Sequence, residues 1–595
     1  MFASVFNTIG QTQQKEKTDS AKLYRKIQSF SDKRQFTKFL YRLVFRPIRS
    51  EETEQPAKTE VKKKYYTEYE GKVIRKIDIV TVDPFGYDVH DTTRKPETFL
   101  EEAGNSLHIK SLPLSIRNRL IFKKHDTFDS LKVKESERLI RSQSFVREVV
   151  FYPQLVGKTD SVDIFIRVYD IWSIIAVADV STTHFKINVR DRNFLGLGHQ
   201  LENDYSFNKG TNTSVNTTNY SISNIHNTYI STTLHYDVDN LRNYNESVSF
   251  DRPFYSIFTQ WAGGAYLLQH LNRAQLRNAD SSLYTQSFKY NTQDYWLGKS
   301  WQLFHGHTEV ERTTNLILSG RYYQTHFLEK PAIDSLAQWP DEHFYLGAIS
   351  ISKRKYIRDS YIFKYGYVED VPTGRAVSLL GGYQVRNNVG RVYIGSRFYW
   401  GAYYKWGYVS SNIEYGTFLH SSRIEEECFA ARITYFSPLM NAGRWRFRNF
   451  IKPQYVLGLN RLKNQSLSIN DDYGISGFHS EGLTGTEKMA VVVQVQSYAP
   501  WNILGFRFGP YLVCSMGMLG NEASGFSHSP VYSQFGIGML IKNEYLVFSA
   551  FEISVAFYPY MPGVGNSLIR VNPFTTTDFG FLDSNVGKPS AVSYQ

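Results

Sequence analysis

Few residues of this sequence have the types and the spacing that chemistry requires. His305 and His307 would place two imidazoles on one face of a strand, where they could bind a metal ion, but no third ligand is in view. The two cysteines, Cys428 and Cys514, neither form a disulfide framework nor have metal-ligand spacing. The sequence also lacks the motifs of a nucleophile elbow, a zinc protease, a phosphate-binding loop and a Cys-x-x-Cys pair. We therefore expect no enzyme activity, no cofactor and no metal site.

The composition excludes two broad classes of protein. The chain has 595 residues, of which 42% are hydrophobic and 15% aromatic. No apolar run approaches the length of about 18 residues that a transmembrane helix needs, and apolar residues recur too regularly for a disordered chain. The net charge of +12 fits either a solvated surface or attraction to acidic lipid headgroups or polyanions.

The first 70 residues are polar and basic. We interpret residues 1–19 as the remnant of a signal peptide or a flexible start; the alternative is the frayed end of a cytoplasmic protein. Residues 20–70 read as a basic amphipathic helical leader followed by a linker. Such a leader can lie on a membrane, plug a pore or cap a domain. It could also imitate a nucleic-acid-binding face, but the chain that follows makes a nucleic-acid partner improbable.

Residues 71–171 have the pattern of a small α/β domain. An apolar strand pattern at 73–82 precedes two stretches of helical spacing, at 115–121 and 130–141. Two further strands follow at 145–152 and 162–168, separated by a turn cluster of Gly, Lys, Thr and Asp. The predicted order is therefore β-α-α-β-β.

Residues 172–595 predict a β-barrel. Stretches of roughly 8–12 residues alternate polar and apolar side chains and are bounded by Gly, Asn, Asp or Pro. Tyrosine and phenylalanine are dense at the ends of these stretches, as in the aromatic girdles of membrane barrels. In a membrane, only a closed barrel satisfies every backbone N–H and C=O group of such strands.

Two local patterns resemble one known group of proteins. The order of the small domain resembles a POTRA domain, and Asn193, Gly196 and Gly198 resemble the N-x-x-G-x-G hairpin near the start of BamA/TamA-type barrels. Glycines there permit a tight turn. This resemblance to the outer-membrane assembly and secretion superfamily implies a mainly β fold, in which a transmembrane antiparallel 16-stranded β-barrel follows one small α/β POTRA-like domain. It also implies a bacterial outer-membrane location, with the N-terminal domain in the periplasm.

The resemblance also places a lid loop inside the barrel. Ile475, Ser476, Gly477 and Phe478 match the family motif (V/I)-R-G-(F/Y), with serine in place of arginine. On the inward strand that carries its partner, Ser515 stands where the family has an aspartate, two residues before Gly517. Because a lone buried charge is costly, the joint loss of both charges is physically coherent. We predict a lid held by glycine turn geometry and by the packing of Phe478 rather than by a salt bridge.

A weak seam is expected where the barrel closes. We predict that residues 578–595 form the last strand and pair with residues 183–190, where Phe185, Ile187 and Val189 alternate. Gly580 and Gly587 would thin the packing of this seam. A seam that opens sideways exposes strand edges that can template an incoming strand, which is the assembly mechanism proposed for the family.

The function implied by the resemblance is assembly and insertion of outer-membrane proteins. The clients would be unfolded outer-membrane or secreted polypeptides, bound by β-augmentation on the POTRA-like domain and by the barrel seam. Outer-membrane lipids and accessory lipoproteins would be further partners. Two alternatives stay open: a two-partner-secretion-type transporter that exports a dedicated partner through the lumen, and a passive channel.

Overall fold

The computed structural model describes residues 66–594 with the following gaps: 88–90, 92, 97–98, 158, 181–183, 278–282, 305, 307, 331–338, 364–366, 463–464, 471–473, 481, 504–505, 544–550 and 574–585. The expected signal remnant and most of the expected leader therefore lie outside the described residues. His305, His307 and Gly580 lie outside them as well.

The N-terminal part of the described chain is a small α/β domain. Its elements are β1 (Val73–Val82), α1 (Phe99–Leu107), α2 (Pro113–Arg117), α3 (Ser130–Arg141), β2 (Val146–Leu155) and β3 (Ser161–Asp170). The strands form one sheet in the order β1–β3–β2, in which β1 is parallel and β2 antiparallel to β3. The predicted strands and the long helix are present, and α1 is a helix that the sequence prediction missed.

The long helix α3 explains how this domain forms a core. Asp129 is its N-cap, and its side chain accepts hydrogen bonds from the N–H groups of residues 131 and 132. Val133 and Ile140 are fully buried on the face that packs against the sheet. Phe128 and Phe151 belong to the same buried cluster and fill the space between the helix and the strands. Removing this apolar surface from water holds the domain together.

The strands that follow this domain form a closed barrel in which consecutive strands are antiparallel, and two short segments extend turns of its wall. The strands are β4 (Ile174–Val180), β5 (His184–Phe194), β6 (His199–Asn208), β7 (Thr213–Ile222), β8 (Ser231–Asp239), β9 (Tyr244–Arg252), β10 (Trp261–Arg277), β11 (Leu283–Gln302), β12 (Thr314–Glu329), β13 (Glu342–Ser360), β14 (Val368–Arg386), β15 (Val389–Tyr404), β16 (Gly407–His420), β17 (Arg423–Phe436), β18 (Met440–Ala442), β19 (Trp445–Leu459), β20 (Glu487–Tyr498), β21 (Asn502–Ile503), β22 (Phe506–Gly520), β23 (Tyr532–Asn543), β24 (Phe551–Met561) and β25 (Gly565–Val571). A short helix, α4 (Glu309–Arg312), lies in the turn between β11 and β12.

The fold class is confirmed, but the number of strands is not 16. The described residues contain 22 strand segments in the barrel, β18 and β21 included. The expected number came with the family resemblance and assumed evenly long strands and connections. Instead, β4 to β9 are short strands of 7 to 11 residues that follow one another closely.

Side-chain burial alternates along the barrel strands, as it must when one face of a sheet is enclosed. On β11, Asp294 and Trp296 are buried, whereas Tyr295 and Leu297 are exposed. The outward, exposed set is apolar on other strands of the barrel too, as in Ile349, Ile351, Leu379, Ile394, Leu512 and Ile537. An apolar outside with a polar inside is the pattern of a transmembrane barrel. Among the described residues, no helix combines the length and the apolarity needed to cross a membrane.

Candidate functional site

The turn between β5 and β6 joins the barrel to the α/β domain. Asn193 is fully buried, and its side chain accepts a hydrogen bond from the N–H of Gly198 (2.8 Å) and donates one to Ser111 Oγ of the domain (3.0 Å). Gly196 accepts from the N–H of Leu112 (2.9 Å). Its φ is +73°, and a Cβ there would lie 2.5 Å from a backbone oxygen of the domain. The predicted barrel-start motif is therefore also a docking surface, a role that the sequence analysis did not foresee.

Helix α3 carries ion pairs to the turns at the domain-side mouth of the barrel. Arg141 donates to both carboxylate oxygens of Asp370 on β14, at 2.9 and 3.1 Å. Glu137 pairs with Arg358 at the end of β13 (2.9 Å). The side chains of Glu137 and Arg141 are nearly buried, so each charge needs its partner to offset the cost of leaving water. These contacts hold the domain across the mouth of the barrel.

Asp129 forms a third connection of this kind. Its carboxylate pairs with Arg312 of α4, in the turn between β11 and β12. Burial raises the pKa of Asp129, but the ion pair and the two N-cap hydrogen bonds outweigh it and hold the pKa below its ordinary value of 3.8. The N-cap of α3 thus contributes at once to the helix and to the attachment of the domain.

Arg119 makes a deeply buried contact at the same joint. Its guanidinium donates to Ser223 Oγ, which follows β7, and lies over the ring of Phe145. Burial lowers the pKa of Arg119 to about 10. Beside it, Asn224 Nδ2 donates to the carbonyl oxygen of Asn118 (2.7 Å). The joint therefore extends from the β5–β6 turn to the β7–β8 turn.

The predicted lid-loop residues lie inside the barrel. Ile475 and Phe478 are fully buried, and a Cβ at Gly517 on β22 would lie 3.3 Å from the Ile475 side chain. The backbone carbonyl of Ser476 accepts a hydrogen bond from the hydroxyl of Tyr558 on β24 (2.7 Å). The structure therefore brings this loop onto Gly517 and β24.

Aromatic packing and backbone contacts hold the same loop. Phe478 lies against Tyr532 and Tyr558, with ring centroids 5.4 and 6.4 Å apart. Arg570 donates to the carbonyl oxygen of Gly477, whose φ is +70°. Ser515, the predicted partner of the lid, is buried on the same strand β22 as Gly517. Its role as a partner of Ser476 stays a prediction.

The predicted seam is in the wrong place. Phe185, Ile187 and Val189 lie on β5, which pairs with β4 on one side and β6 on the other. An additional strand, β4, precedes β5 directly after the α/β domain, so that β5 lies within the wall. The neighbours that close the barrel are β4 and β25. Gly587 does not belong to a strand of the wall, and a Cβ at this position would lie 3.8 Å from the ring of Phe254.

Residues 586–594 also contradict the expected last strand, because they lie inside the barrel. Lys588 pairs with Asp294 on the inner face of β11. The N–H of Val592 donates to the hydroxyl of Tyr393, an inward side chain of β15 (2.9 Å). Local sequence pattern predicts a strand here, whereas the contacts that fix this segment join residues 199 to 294 positions apart.

Two cavities lie along the barrel wall. One of about 680 Å³ lies against β10, β11 and β12, with aromatic side chains such as Tyr290 and Tyr323 in its wall. The other, of about 560 Å³, is lined by charged side chains that include Arg321 and Glu426 and by Ser590, Ala591, Val592 and Tyr594 of the internal C-terminal segment. The interior is thus partly filled by the chain itself.

Comparisons with known proteins give matches among solved structures only. No protein-family model and no curated protein matches the chain. The chain is similar to CdiB from Escherichia coli, with 9% identity, a TM-score of 0.41 and coverage of 84% of this chain and 75% of that one. CdiB from Acinetobacter baumannii has 11% identity and a TM-score of 0.38, with coverage of 84% of this chain and 73% of that one. BamA from Haemophilus ducreyi lacking POTRA domains 1–3 has 12% identity and a TM-score of 0.29, with coverage of 84% of this chain and 83% of that one.

Proposed function

We propose that this protein is an outer-membrane assembly factor that inserts unfolded polypeptide clients through the seam of its barrel. The observation that carries this proposal is the length of the two strands that close the barrel. β4 and β25 have seven residues each, whereas β13 and β14 have 19 each and pair over their full length. The ladders beside the closure are short as well, with seven residue pairs between β4 and β5 and six between β24 and β25. The closing pair, with at most seven, therefore lies where the described wall, apart from the turn segments β18 and β21, has its shortest ladders.

A short ladder is easier to open than a long one. Each backbone hydrogen bond contributes about 0.5–1.5 kcal/mol net, so the difference between the two pairs amounts to several kcal/mol. An opened seam presents unpaired N–H and C=O groups on both edges. An incoming strand of a client can pair with these edges through its own backbone, independently of its side chains.

The α/β domain stands where a client would arrive. β4 begins four residues after β3 ends, so the domain is attached directly beside the seam. Its contacts from the β5–β6 turn to the β13–β14 turn hold it at the mouth. β2 is an edge strand of its three-stranded sheet and is the strand to which a client segment would add. In this proposal the domain is the periplasmic, POTRA-like receptor for clients.

Cysteine pairs across the seam test the proposal. In a background without Cys428 and Cys514, one cysteine replaces Ala176 or Ala178 on β4, and its partner is placed at successive positions of β25. Oxidation should stop insertion of an unfolded barrel client into liposomes, and reduction should restore it. Unimpaired insertion by the oxidised protein would refute the proposal.

A matched control uses a pair that already lies in a long ladder. Ser350 and Ser378 face each other across β13 and β14, and both are buried. A disulfide between cysteines at these two positions should leave insertion unchanged, because this ladder stays closed in the proposed cycle. Loss of insertion in the control would mean that cross-linking acts through general rigidity rather than through the seam.

Export of a dedicated partner through the lumen is the second candidate, favoured by the charged inner wall. Arg391, Glu426 and Arg397 are inward side chains of β15 and β17 that an extended polypeptide would pass. Depletion in the native host, followed by an inventory of the outer membrane and the secreted proteins, separates the candidates. Broad loss of barrels supports assembly, loss of one exported protein supports export, and no change supports a passive channel.

A further inference from the structure

Residues 586–594, which we call the luminal segment, cross a large part of the inner wall. Near its start, Val586 packs in a cluster with Phe254 and Trp296 beside β10 and β11. At its far end, the hydroxyl of Tyr594 donates to the carbonyl oxygen of Thr486, next to β20 (3.1 Å). Neighbouring strands lie about 4.8 Å apart, and a chain advances at most about 3.6 Å per residue. So short a segment spans this wall only if it is nearly extended.

The middle of the luminal segment is held through its backbone. Arg321 on β12 donates to the carbonyl oxygen of Pro589 (3.0 Å). Arg397 on β15 donates to two successive carbonyl oxygens, those of Ser590 and Ala591, at 2.9 and 3.1 Å, and to one side chain, the hydroxyl of Ser590 (2.8 Å). Hydrogen bonds from charged donors are stronger than those between neutral groups. Two inward arginines thus bind three consecutive peptide groups.

The next two residues are also contacted through the backbone. The hydroxyl of Tyr393 on β15 accepts from the N–H of Val592 (2.9 Å), and the thiol of Cys428 on β17 lies 3.8 Å from the carbonyl oxygen of Ser593. Every polypeptide offers such carbonyl and N–H groups. The wall therefore recognises peptide bonds in this stretch more than it recognises particular side chains.

Side-chain contacts anchor the two ends. Lys588 pairs with Asp294, which Arg321 also binds through two hydrogen bonds of 2.7 and 2.9 Å. The guanidinium carbon of Arg461 lies over the ring of Tyr594, 4.0 Å from the ring centroid. These two anchors give the resident segment its register on a wall that otherwise binds backbone.

Glycines in the wall make room for the segment. A Cβ at Gly458 on β19 would lie 2.2 Å from a ring carbon of Tyr594, and a Cβ at Gly416 on β16 would lie 3.0 Å from the side chain of Val592. Contacts this short cannot persist, so any larger residue at Gly458 would displace the ring. The wall is shaped to hold the segment at these positions.

We propose that this part of the inner wall, marked by Arg321, Tyr393, Arg397 and Cys428, is a binding track for extended polypeptides of low sequence specificity. The luminal segment is its resident occupant, and a client polypeptide displaces it. The track thus closes the lumen at rest and receives a chain in transit. This proposal depends on the proposed function in one respect only, namely that the chain that displaces the luminal segment is a client polypeptide.

The thiol of Cys428 reports whether the track is covered. It is 2% exposed and lies against the luminal segment. In full-length protein carrying Cys514→Ala, a water-soluble maleimide should label it slowly. Deleting residues 586–594 should raise the labelling rate of Cys428 by roughly tenfold or more. A tenfold change corresponds to a loss of about 1.4 kcal/mol in the free energy that keeps the thiol covered. An unchanged rate in a deletion variant that keeps its heat-modifiable mobility on gels would overturn the proposal.

A point variant keeps the test independent of the deletion. Gly458→Ala should displace Tyr594 and raise the labelling rate in the same direction. Its matched control is Gly381→Ala on β14, where an added Cβ meets nothing within 4 Å and the rate should stay unchanged. Equal rates for Gly458→Ala and the parent protein would also contradict the proposal.

Synthetic peptides test the specificity of the track. A peptide with the sequence of residues 586–594 should protect Cys428 from labelling in the deletion variant. An unrelated nonapeptide that keeps only the lysine and tyrosine at the anchor positions should protect it nearly as well. If only the native peptide protects, the segment is a dedicated plug and the track is refuted. None of these measurements needs client insertion, so they can fail or succeed independently of the proposed function.

Discussion

The barrel has two unlike sides. From β4 to β9 the strands have 7 to 11 residues, and their interior side chains are largely half-buried. From β10 to β17 the strands have 14 to 20 residues. The luminal segment lies against this side and contacts β11, β12, β15 and β17. The side with long ladders is a rigid, charged wall, whereas the side with short ladders contains the closure. In the proposed cycle, the long ladders stay closed and the closure among the short ladders opens.

The same contrast appears in the ion pairs of the two sides. Arg448 on β19 is 1% exposed and binds Asp359 through two hydrogen bonds and the carbonyl oxygen of Ser360 through a third. Arg190 on β5 pairs with Glu202 on β6, but its side chain is 37% exposed. Buried pairs are strongly coupled to folding because a lone charge cannot stay in the interior, whereas solvent screens an exposed pair.

The largest effect is therefore expected from Arg448→Met. It removes the charged partner of Asp359 and should lower the free energy of unfolding by about 3–5 kcal/mol. Arg190→Met, the matched change on the short-strand side, should lower it by less than about 1 kcal/mol. Urea titrations of the purified protein in detergent micelles measure both values. Equal losses would show that the two sides do not differ in the way we describe.

The sequence predicted those features that depend on local pattern. The alternation in residues 172–595 and the strand and helix signals of 71–171 indicated a barrel after an α/β domain, and both are present. The strand number was wrong because it came with the resemblance. Local pattern could not replace it, since strands such as β7 (TSVNTTNYSI) are rich in Thr, Ser and Asn and have little apolar alternation to count.

The contacts that define the site could not be predicted, because they join distant parts of the chain. Arg141 and Asp370 are separated by 229 positions, and Lys588 and Asp294 by 294. Their charges look like ordinary surface charges in the sequence. By contrast, Asn193 was found as a candidate because it forms a compact motif with two glycines, although its second role needed the structure.

An intermediate effect is expected at the joint between domain and barrel. Asn193→Ala leaves the N–H of Gly198 and the hydroxyl of Ser111 without their partner in a buried place, at a cost of about 1–3 kcal/mol. The matched change Asn203→Ala, on the exposed side of the next strand, should cost about 0.5 kcal/mol or less. Limited proteolysis of the α/β domain in the folded protein measures the difference. If both variants are cut at the rate of the parent protein, the joint does not depend on Asn193.

The smallest effect is expected from Asp129→Asn, and it should depend on pH. Asparagine caps a helix about as well as aspartate, so this change removes mainly the pair with Arg312, worth about 0.5–1 kcal/mol for partly exposed groups. Because the pKa of Asp129 in the folded protein lies below its ordinary value of 3.8, the carboxylate stabilises docking fully above that value. This contribution is lost as the pH falls through the lowered pKa. Hydrogen exchange of α3 should therefore separate parent and variant at pH 7, and the difference should shrink once the pH has fallen below 3.8 and passes through the lowered pKa. A constant difference at all pH values would assign the effect to the cap instead of the ion pair.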